Sequence, residues 1–404
     1  MKYVSLLGST GTIGVNTLDV VARHPDSFKV FALAARTNAE RLIEQCERFH
    51  PVFAVICDEQ KAEMCRQHLQ EKGLSTVLLF GDAGLQQIVT DPRVDIVMAA
   101  IVGAVGLKPT LAAARAGKRV LLANKEALVM SGNLLMDAVS EFRAELLPID
   151  SEHNAVFQVL PSDKSAGLAN MGVLRVILTA SGGPFRTMKH AELDAVTPAQ
   201  AINHPNWVMG KKISVDSATM MNKGLEMIEA CWLCAATPDQ IDILIHPESI
   251  VHSMVSYRDG SVLAQLSNPY MRTPIAYGLG YPARIDAGVE HLDLAKIGAL
   301  NFEALNWDQF PCVRLAYDAM NAGGTATAIL NAANEIAVDA FLREVLPFRA
   351  IPAVIEFVLK EIPAIPVRAL DDVLRADDQA RHAASDWIAH HAIKRVRIAQ
   401  GVMQ

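Results

Sequence analysis

The densest run of reactive side chains is Pro148-Ile149-Asp150-Ser151-Glu152-His153-Asn154, which sets two carboxylates, a hydroxyl and an imidazole behind the apolar pair Leu146-Leu147. Read as a continuing strand, side-chain alternation throws Asp150 and Glu152 onto one face. Two carboxylates on one face repel unless a cation lies between them or one holds a proton. A second run, from Val215 to Glu226, carries Ser217, Asn222, Lys223 and Glu226. Asn222, Lys223 and Glu226 stand at i, i+1 and i+4 on one side of a helix, beside an apolar stripe of Met221, Leu225, Ile228 and Trp232. Asp150, Glu152 and Glu226 form an all-oxygen donor set, which suits Mg2+ or Mn2+ better than Zn2+. A solvated helix face with ordinary salt links competes for Glu226 alone; the two clusters together favour the metal. Ser217, Asn222 and Lys223 are expected in the first turns of one helix, with Ser181 after another strand. Hydroxyls, an amide, a cation and a positive helix end can hold a phosphate, although Ser217 would serve equally as a helix cap.

These residues need elements to position them. Up to about residue 150, apolar strands alternate with helical patterns, which implies a parallel sheet wound by βαβ units. Strands are expected at Tyr3–Leu7, Lys29–Ala34, Val52–Ile56, Asp95–Ala100 and Arg119–Ala123. The first runs into Gly8-Ser9-Thr10-Gly11-Thr12-Ile13-Gly14, a GxxGxxG turn that would let a pyrophosphate approach a helix N-terminus. A tight turn without a ligand is the competing reading. The second ends at Arg36-Thr37-Asn38, with no acid to accept a ribose 2′-hydroxyl, and Arg36 favours NADP over NAD.

The middle of the chain differs. Val173–Thr179 reads as a strand, and Val251–Tyr257 with Val262–Leu266 as a hairpin around Asp259-Gly260. That implies an α+β region with an antiparallel component. Residues 181–212, glycine-flanked and bearing His204 and Trp207, read either as a lid or as a surface loop with a short helix. Residues 282–311 read as an irregular connector, and the helical pattern runs from Cys312 to the end. The expected division is 1–149, 150–281 with the 181–212 lid, 282–311, and 312–404. Cys231 and Cys234 make a CxxC inside a helical pattern, read as buried thiols. His246 and His252 have no metal-ligand company and are read as strand or loop residues.

With 404 residues, 51% hydrophobic and 20% charged, the composition is that of a multidomain globular protein. A net charge of −7 without a basic block argues against a nucleic-acid partner. The longest uncharged apolar run, Ile96 to Leu107, is short of the roughly 18 residues a membrane span requires. No signal peptide is read ahead of the first strand, and six cysteines without a framework of spacings suit a reducing cytosol. A cytoplasmic protein is expected.

With these motifs in view, the chain resembles the 1-deoxy-D-xylulose 5-phosphate reductoisomerase family. The matching segments are Gly8–Gly14 (GSTGTIG), Leu121–Ala127 (LLANKEA), Pro148–Asn154 (PIDSEHN), Ser181–Arg186 (SGGPFR), His204–Trp207 (HPNW), Ile213–Glu226 (ISVDSATMMNKGLE) and Asn331–Ala337 (NAANEIA). The resemblance implies a Rossmann-like parallel sheet, a central α+β catalytic region and a small C-terminal helical domain. It implies conversion of a phosphorylated ketose, 1-deoxy-D-xylulose 5-phosphate, into 2-C-methyl-D-erythritol 4-phosphate, with NADPH, Mg2+ or Mn2+, and a homodimer. By that resemblance Asp150, Glu152 and Glu226 are the metal ligands. Lys125, Ser151, Glu152, Ser181, His204, Ser217, Asn222, Lys223 and Glu226 line the substrate, with Trp207 on the lid above it. Among these, Lys125, Glu152 and His204 are the catalytic candidates. Thr10, Gly11, Thr12, Ile13, Asn38, Asn124, Glu126 and Gly210 match cofactor-contacting positions, to which Arg36 is added from the strand-end argument. Family members often carry Gly-Lys where this chain has Arg36-Thr37. Two other readings stand beside this one. A semialdehyde dehydrogenase would need a nucleophilic cysteine at an exposed turn. A non-catalytic NADP sensor would bind cofactor without turnover and would not need three carboxylates and a lysine-bearing anion site.

Overall fold

The structure, a computed structural model, describes residues 1–161, 167–207 and 209–401, with the side chains of 392–401 left out. Parts of the expected central region (162–166), lid (208) and helical tail (402–404) therefore lie outside the described residues. The chain divides into two compact units. One comprises Met1–Ala127, Leu135–Gln158 and Tyr270–Leu292; the other comprises Leu128–Leu134, Val159–Pro269 and the chain from Asp293 onward.

The first unit is built on seven parallel strands: β1 (Lys2–Leu7), β2 (Phe28–Ala35), β3 (Phe53–Ile56), β4 (Val77–Phe80), β5 (Ile96–Ala99), β6 (Arg119–Leu122) and β7 (Glu145–Pro148). Their order is β4-β3-β2-β1-β5-β6-β7, so the winding reverses between β1 and β5, where ligands of such sheets bind. Central strands are apolar along their length because helices cover both faces; Val4, Leu6, Leu33, Val97 and Leu121 are fully buried. β4, absent from the expected strands, and β7, expected from the Leu146-Leu147 run, are the two edges, and Val77 and Phe80 of β4 are exposed. The Arg272–Gly280 helix completes this core through Ile275, Ala276 and Leu279.

One expectation is corrected here. β7 stops at Pro148, and a helix spans Ser151–Val159. Asp150 lies in the bend between them, so Asp150 and Glu152 do not alternate along a strand. The bend is held by Asn154, whose backbone N–H donates to the Asp150 carbonyl at 2.8 Å and whose side chain donates to the Pro148 carbonyl at 2.8 Å.

The second unit holds a mixed sheet of β8 (Val173–Ala180), β9 (Ile241–Ile245), β10 (Val251–Tyr257), β11 (Val262–Leu266) and β12 (Glu303–Ala304), ordered β11-β10-β8-β9-β12. β10 and β11 form the expected hairpin, with Gly260 at φ +89° in its turn. β8 and β9 are parallel, which demands a long crossover. That crossover contains the Lys211–Ala218 and Met221–Cys234 helices. Helices at Pro311–Ala322, Ala326–Leu342, Ile351–Glu361 and Leu370–Gly401 make the helical C-terminal region. Ala326–Leu342 is apolar nearly all round and correspondingly buried. Among the described residues, no helix is long and apolar enough to cross a membrane.

The strand-to-helix turn after β1 tolerates no side chain at Gly14, where a Cβ would lie 2.4 Å from the carbonyl oxygens of Gly8 and Ser9. Gly14→Ala should therefore lower stability by about 1–3 kcal/mol, the usual penalty of overpacking. Gly11→Ala, whose Cβ meets only the Gly8 oxygen at 3.5 Å, should cost much less. Urea unfolding of both variants checks the contrast.

Candidate active site

In the first unit, reactive residues gather at the carboxyl ends of the strands. Gly8 takes φ +84°, and its N–H and that of Ser9 donate to the Ala34 carbonyl at 3.0 and 2.8 Å. A Cβ on Gly8 would sit 2.6 Å from the Ala100 carbonyl oxygen, so the turn is wedged among the ends of β1, β2 and β5. It delivers Gly11, Thr12 and Ile13 to the start of the Thr12–Arg23 helix, whose N-cap, Gly11, makes no side-chain capping bond and whose first turn holds no acid. That is the form of an anion-binding helix end. Asn38 caps the Ala39–Phe49 helix by accepting from the Arg41 N–H at 3.1 Å. Asn124 is 2% exposed, and its amide donates to the Gly103 carbonyl at 3.2 Å. Its carbonyl oxygen is buried without a partner, an acceptor suited to an amide of a bound ligand. Glu126 follows in the first turn of the next helix and is buried. A dinucleotide fits this donor and acceptor set.

Lys125 follows β6 and Asp150 follows β7, so adjacent parallel strands bring the two together. Their side chains are 11% and 14% exposed and form an ion pair. Burial alone would raise the Asp150 carboxyl, but Lys125 and then His153 outweigh it and hold the group well below the usual carboxylate range. Glu152 accepts from the Ser151 hydroxyl at 2.6 Å. The Asp150 carboxylate is therefore anionic and ready to act as an oxygen donor.

In the second unit the β8–β9 crossover carries Ser181, His204, Trp207, Gly210, Ser217, Asn222, Lys223 and Glu226. His204 Nδ1 accepts from the backbone N–H groups of Asn206 and Trp207 at 3.2 and 3.0 Å. The ring proton of the neutral imidazole must then lie on Nε2, which donates to Ser181 Oγ at 2.9 Å. The Gly183 N–H donates to the same oxygen at 3.2 Å. With both lone pairs used, the Ser181 O–H is left to donate outward, which is what an incoming anion requires. Gly183 (φ +69°) packs so closely on the 217–218 backbone that a Cβ would lie 2.6 Å from the Ser217 carbonyl oxygen. Trp207 is half-buried against His252, with ring centroids 6.3 Å apart. Asn206 ties the HPNW tip to the Pro247 carbonyl and Ser249 hydroxyl at 2.6 and 2.9 Å.

Ser217 does not share a helix with Asn222 and Lys223. It ends the Lys211–Ala218 helix, and Met220, at φ +60°, breaks the chain before the next helix starts at Met221. Ser217 is thus no cap of that helix. Asn222 and Lys223 do occupy its first turn, and both donate to Glu226. Lys223 and Glu226 are almost wholly buried, so each is the other's counter-charge. The helix is buried on nearly every side, not only along the expected apolar stripe, because Gly224 lets the Pro311–Ala322 helix approach through Ala316.

Three supporting residues escaped the sequence reading. Asp216 is 1% exposed, pairs with Lys212 at 2.9 Å, and accepts from Asn334 at 2.8 Å. Asn334 and Glu335 belong to the NAANEIA motif, and Glu335 accepts from Arg381 at 2.6 Å. The motif is a brace between the helix carrying Ser217 and the terminal helix. Five of the six thiols are displaced upward by burial, with Cys46, Cys231 and Cys312 reaching about 12. A thiolate nucleophile has no support among them.

Burial pushes His204 and His252 from 6.5 down to about 4. Both are neutral in the fold but protonate near 6.5 when unfolded. Their contribution is therefore fully present above pH 6.5 and lost as pH falls towards about 4. His204→Gln should make that loss of stability shallower, as urea unfolding at a series of pH values would show.

Family models agree with these clusters. The model of 1-deoxy-D-xylulose 5-phosphate reductoisomerase matches residues 4–132. Its C-terminal domain model matches 146–234, and the model of the DXP reductoisomerase C-terminal domain matches 266–383. The chain is 58% identical over 388 residues to the 1-deoxy-D-xylulose 5-phosphate reductoisomerase of Nitrosospira multiformis, covering 96% of this chain and 98% of that one. It is 57% identical over 390 residues to that of Pseudomonas syringae, covering 96% and 98%. A crystal structure of DOX-P reductoisomerase in complex with NADPH, fosmidomycin and magnesium superimposes with a TM-score of 0.93 at 44% identity, covering 96% of this chain and 98% of that one. The Zymomonas mobilis enzyme in complex with NADPH does so with a TM-score of 0.89 at 43% identity, covering 96% and 98%. With relatives this similar over nearly its whole length, the chain belongs to the 1-deoxy-D-xylulose 5-phosphate reductoisomerase family.

Proposed function

We propose that this chain converts 1-deoxy-D-xylulose 5-phosphate into 2-C-methyl-D-erythritol 4-phosphate, by metal-assisted rearrangement of the carbon skeleton followed by reduction with NADPH. The observation that carries this reading is family membership over nearly the full length, together with two clusters of charged side chains that match its chemistry.

Asp150, Glu152 and Glu226 are the proposed ligands of Mg2+ or Mn2+. Their support is the donor chemistry: buried or half-buried carboxylates, each pair of donor and lysine held within its own unit. When bound, such an ion supplies Lewis-acid stabilisation of the oxyanion charge that develops as the C3–C4 bond breaks. NADPH supplies the hydride that reduces the rearranged aldehyde. Lys125, paired with Asp150, is assigned to donate a hydrogen bond or proton to that oxyanion. Ser151 orients Glu152. At the phosphate end we assign Ser181, Ser217, Asn222 and Lys223, with His204 fixing the direction in which the Ser181 proton points. Trp207, on the 181–212 lid, would exclude water from the reactive fragments.

The cofactor is assigned to Thr10, Gly11, Thr12, Ile13, Arg36, Asn38, Asn124, Glu126 and Gly210. We also propose a cytoplasmic homodimer. Six free cysteines fit a reducing compartment, and β11 is a sheet edge whose Val262 and Leu263 are 52% and 49% exposed, a strand edge that a second copy would cover.

The test is NADPH oxidation with 1-deoxy-D-xylulose 5-phosphate, with and without divalent metal; no turnover in any metal overturns the reading. Glu226→Gln should cut turnover by several orders of magnitude, as loss of a charged metal ligand implies. Its NADPH affinity should stay normal, measured by fluorescence titration. Near-normal turnover at low metal would remove Glu226 from the ligand set.

A further inference from the structure

Three cations of the first unit surround the loop after β2, and among the described residues none of them forms an ion pair. Arg36 and Arg41 are exposed and Lys61 is half-buried. Arg41 donates to the Thr10 carbonyl at 3.3 Å, which ties it to the glycine-rich turn. Lys61 donates to the Thr37 carbonyl at 2.7 Å. The ammonium of a residue in the next βα unit thus lies on the backbone of the residue that follows Arg36.

Its placement opposes local electrostatics. Lys61 stands in the first turn of the Glu59–Glu71 helix, near the positive end of the macrodipole, where a cation is disfavoured. The Ala39–Phe49 helix begins at the same strand end and adds a second positive terminus. Nearby acids do not neutralise the lysine. Asp58 turns into its own helix, accepting from the Gln60 N–H at 3.1 Å, while Glu40 and Glu59 are exposed. With the two helix ends capped by Asn38 and Asp58, it is the cations without ion-pair partners that form a site whose repulsion a doubly charged anion would relieve.

We propose that Lys61 acts with Arg36 to bind the 2′-phosphate of NADPH, supplying from β3's following helix the charge that Thr37 lacks. The proposal rests on NADPH as the cofactor. It explains how the chain departs from the usual Gly-Lys at 36–37 without losing a cation: the lysine comes from a different segment, and its ammonium rests on the Thr37 carbonyl.

Binding of NADPH, NADH, 2′,5′-ADP and 5′-AMP to wild type, Lys61→Met, Lys61→Arg and Arg36→Ala, followed by calorimetry, tests it. Lys61→Met should weaken NADPH and 2′,5′-ADP by roughly 10- to 150-fold, the range for a lost charge-assisted hydrogen bond. NADH and 5′-AMP should bind as before, and Lys61→Arg should retain most of the preference. An equal loss for phosphorylated and unphosphorylated ligands would make Lys61 a structural tie on the 36–38 loop and overturn the proposal. So would an unchanged NADPH-to-NADH ratio in a wild type that prefers NADPH. A wild type binding both cofactors alike would overturn the cofactor reading itself, and Lys61's role with it.

Discussion

Buried negative charge is the constraint on which this structure turns. A carboxylate taken out of water needs a counter-charge or a proton, and at three acids the chain answers with a lysine placed within a few residues or one strand. Lys125 neutralises Asp150, Lys223 neutralises Glu226, and Lys212 neutralises Asp216. Deleting one member of such a pair leaves a bare buried charge, a loss on the order of 3–5 kcal/mol. The lysines are thus part of the fold before they are part of any chemistry. The same ammonium groups are then available to a substrate that brings its own negative charge, without a new cation having to be buried.

The sheets decide where those acids can be. In the first unit, parallel strands align their carboxyl ends, so turns far apart in sequence gather on one edge: the glycine turn after β1, Arg36 after β2, Lys125 after β6 and Asp150 after β7. In the second unit a single parallel pair, β8 and β9, forces a crossover, and that crossover holds every candidate substrate residue of the unit. Both arrangements follow from the same rule, that parallel pairing sends the chain out at one end and back by a long route.

Much of this was legible in the sequence, and the failures have physical causes. The glycine turn, the central strands, the hairpin at Asp259-Gly260 and the helical tail carry strong local signals and are found where expected. β4 is a four-residue edge with two of its residues exposed; its apolar run Val77-Leu78-Leu79-Phe80 is too short for periodicity to separate a strand from a buried helix segment. The alternation argument for Asp150 and Glu152 carried a strand two residues too far. Asp150-Ser151-Glu152 also reads as the acidic start of a helix, and that signal was available. The break before Met221 had no such marker: ISVDSATMMNKGLE contains no proline or glycine at the junction, where Met220 sits at φ +60° with its N–H donating to the Ser217 carbonyl at 3.1 Å and the Met221 N–H to the Thr219 hydroxyl at 3.3 Å. Asn334 reaching Asp216 across 118 residues was beyond any local pattern, although NAANEIA itself stood out.

The Ser181–His204 pair shows how the fold sets a donor's direction without titration. Two backbone N–H groups occupy Nδ1, so the imidazole has one available tautomer, and burial keeps it neutral down to about pH 4. A charged histidine there would attract an anion strongly but would lose that attraction as pH rose through its pKa. The neutral ring instead spends its single proton on Ser181, and the serine's own proton points away from it at any pH near neutrality. Recognition of the proposed phosphate thus divides between a fixed, uncharged donor at Ser181 and the ammonium of Lys223. Only the second costs burial energy, and Glu226 has already offset it.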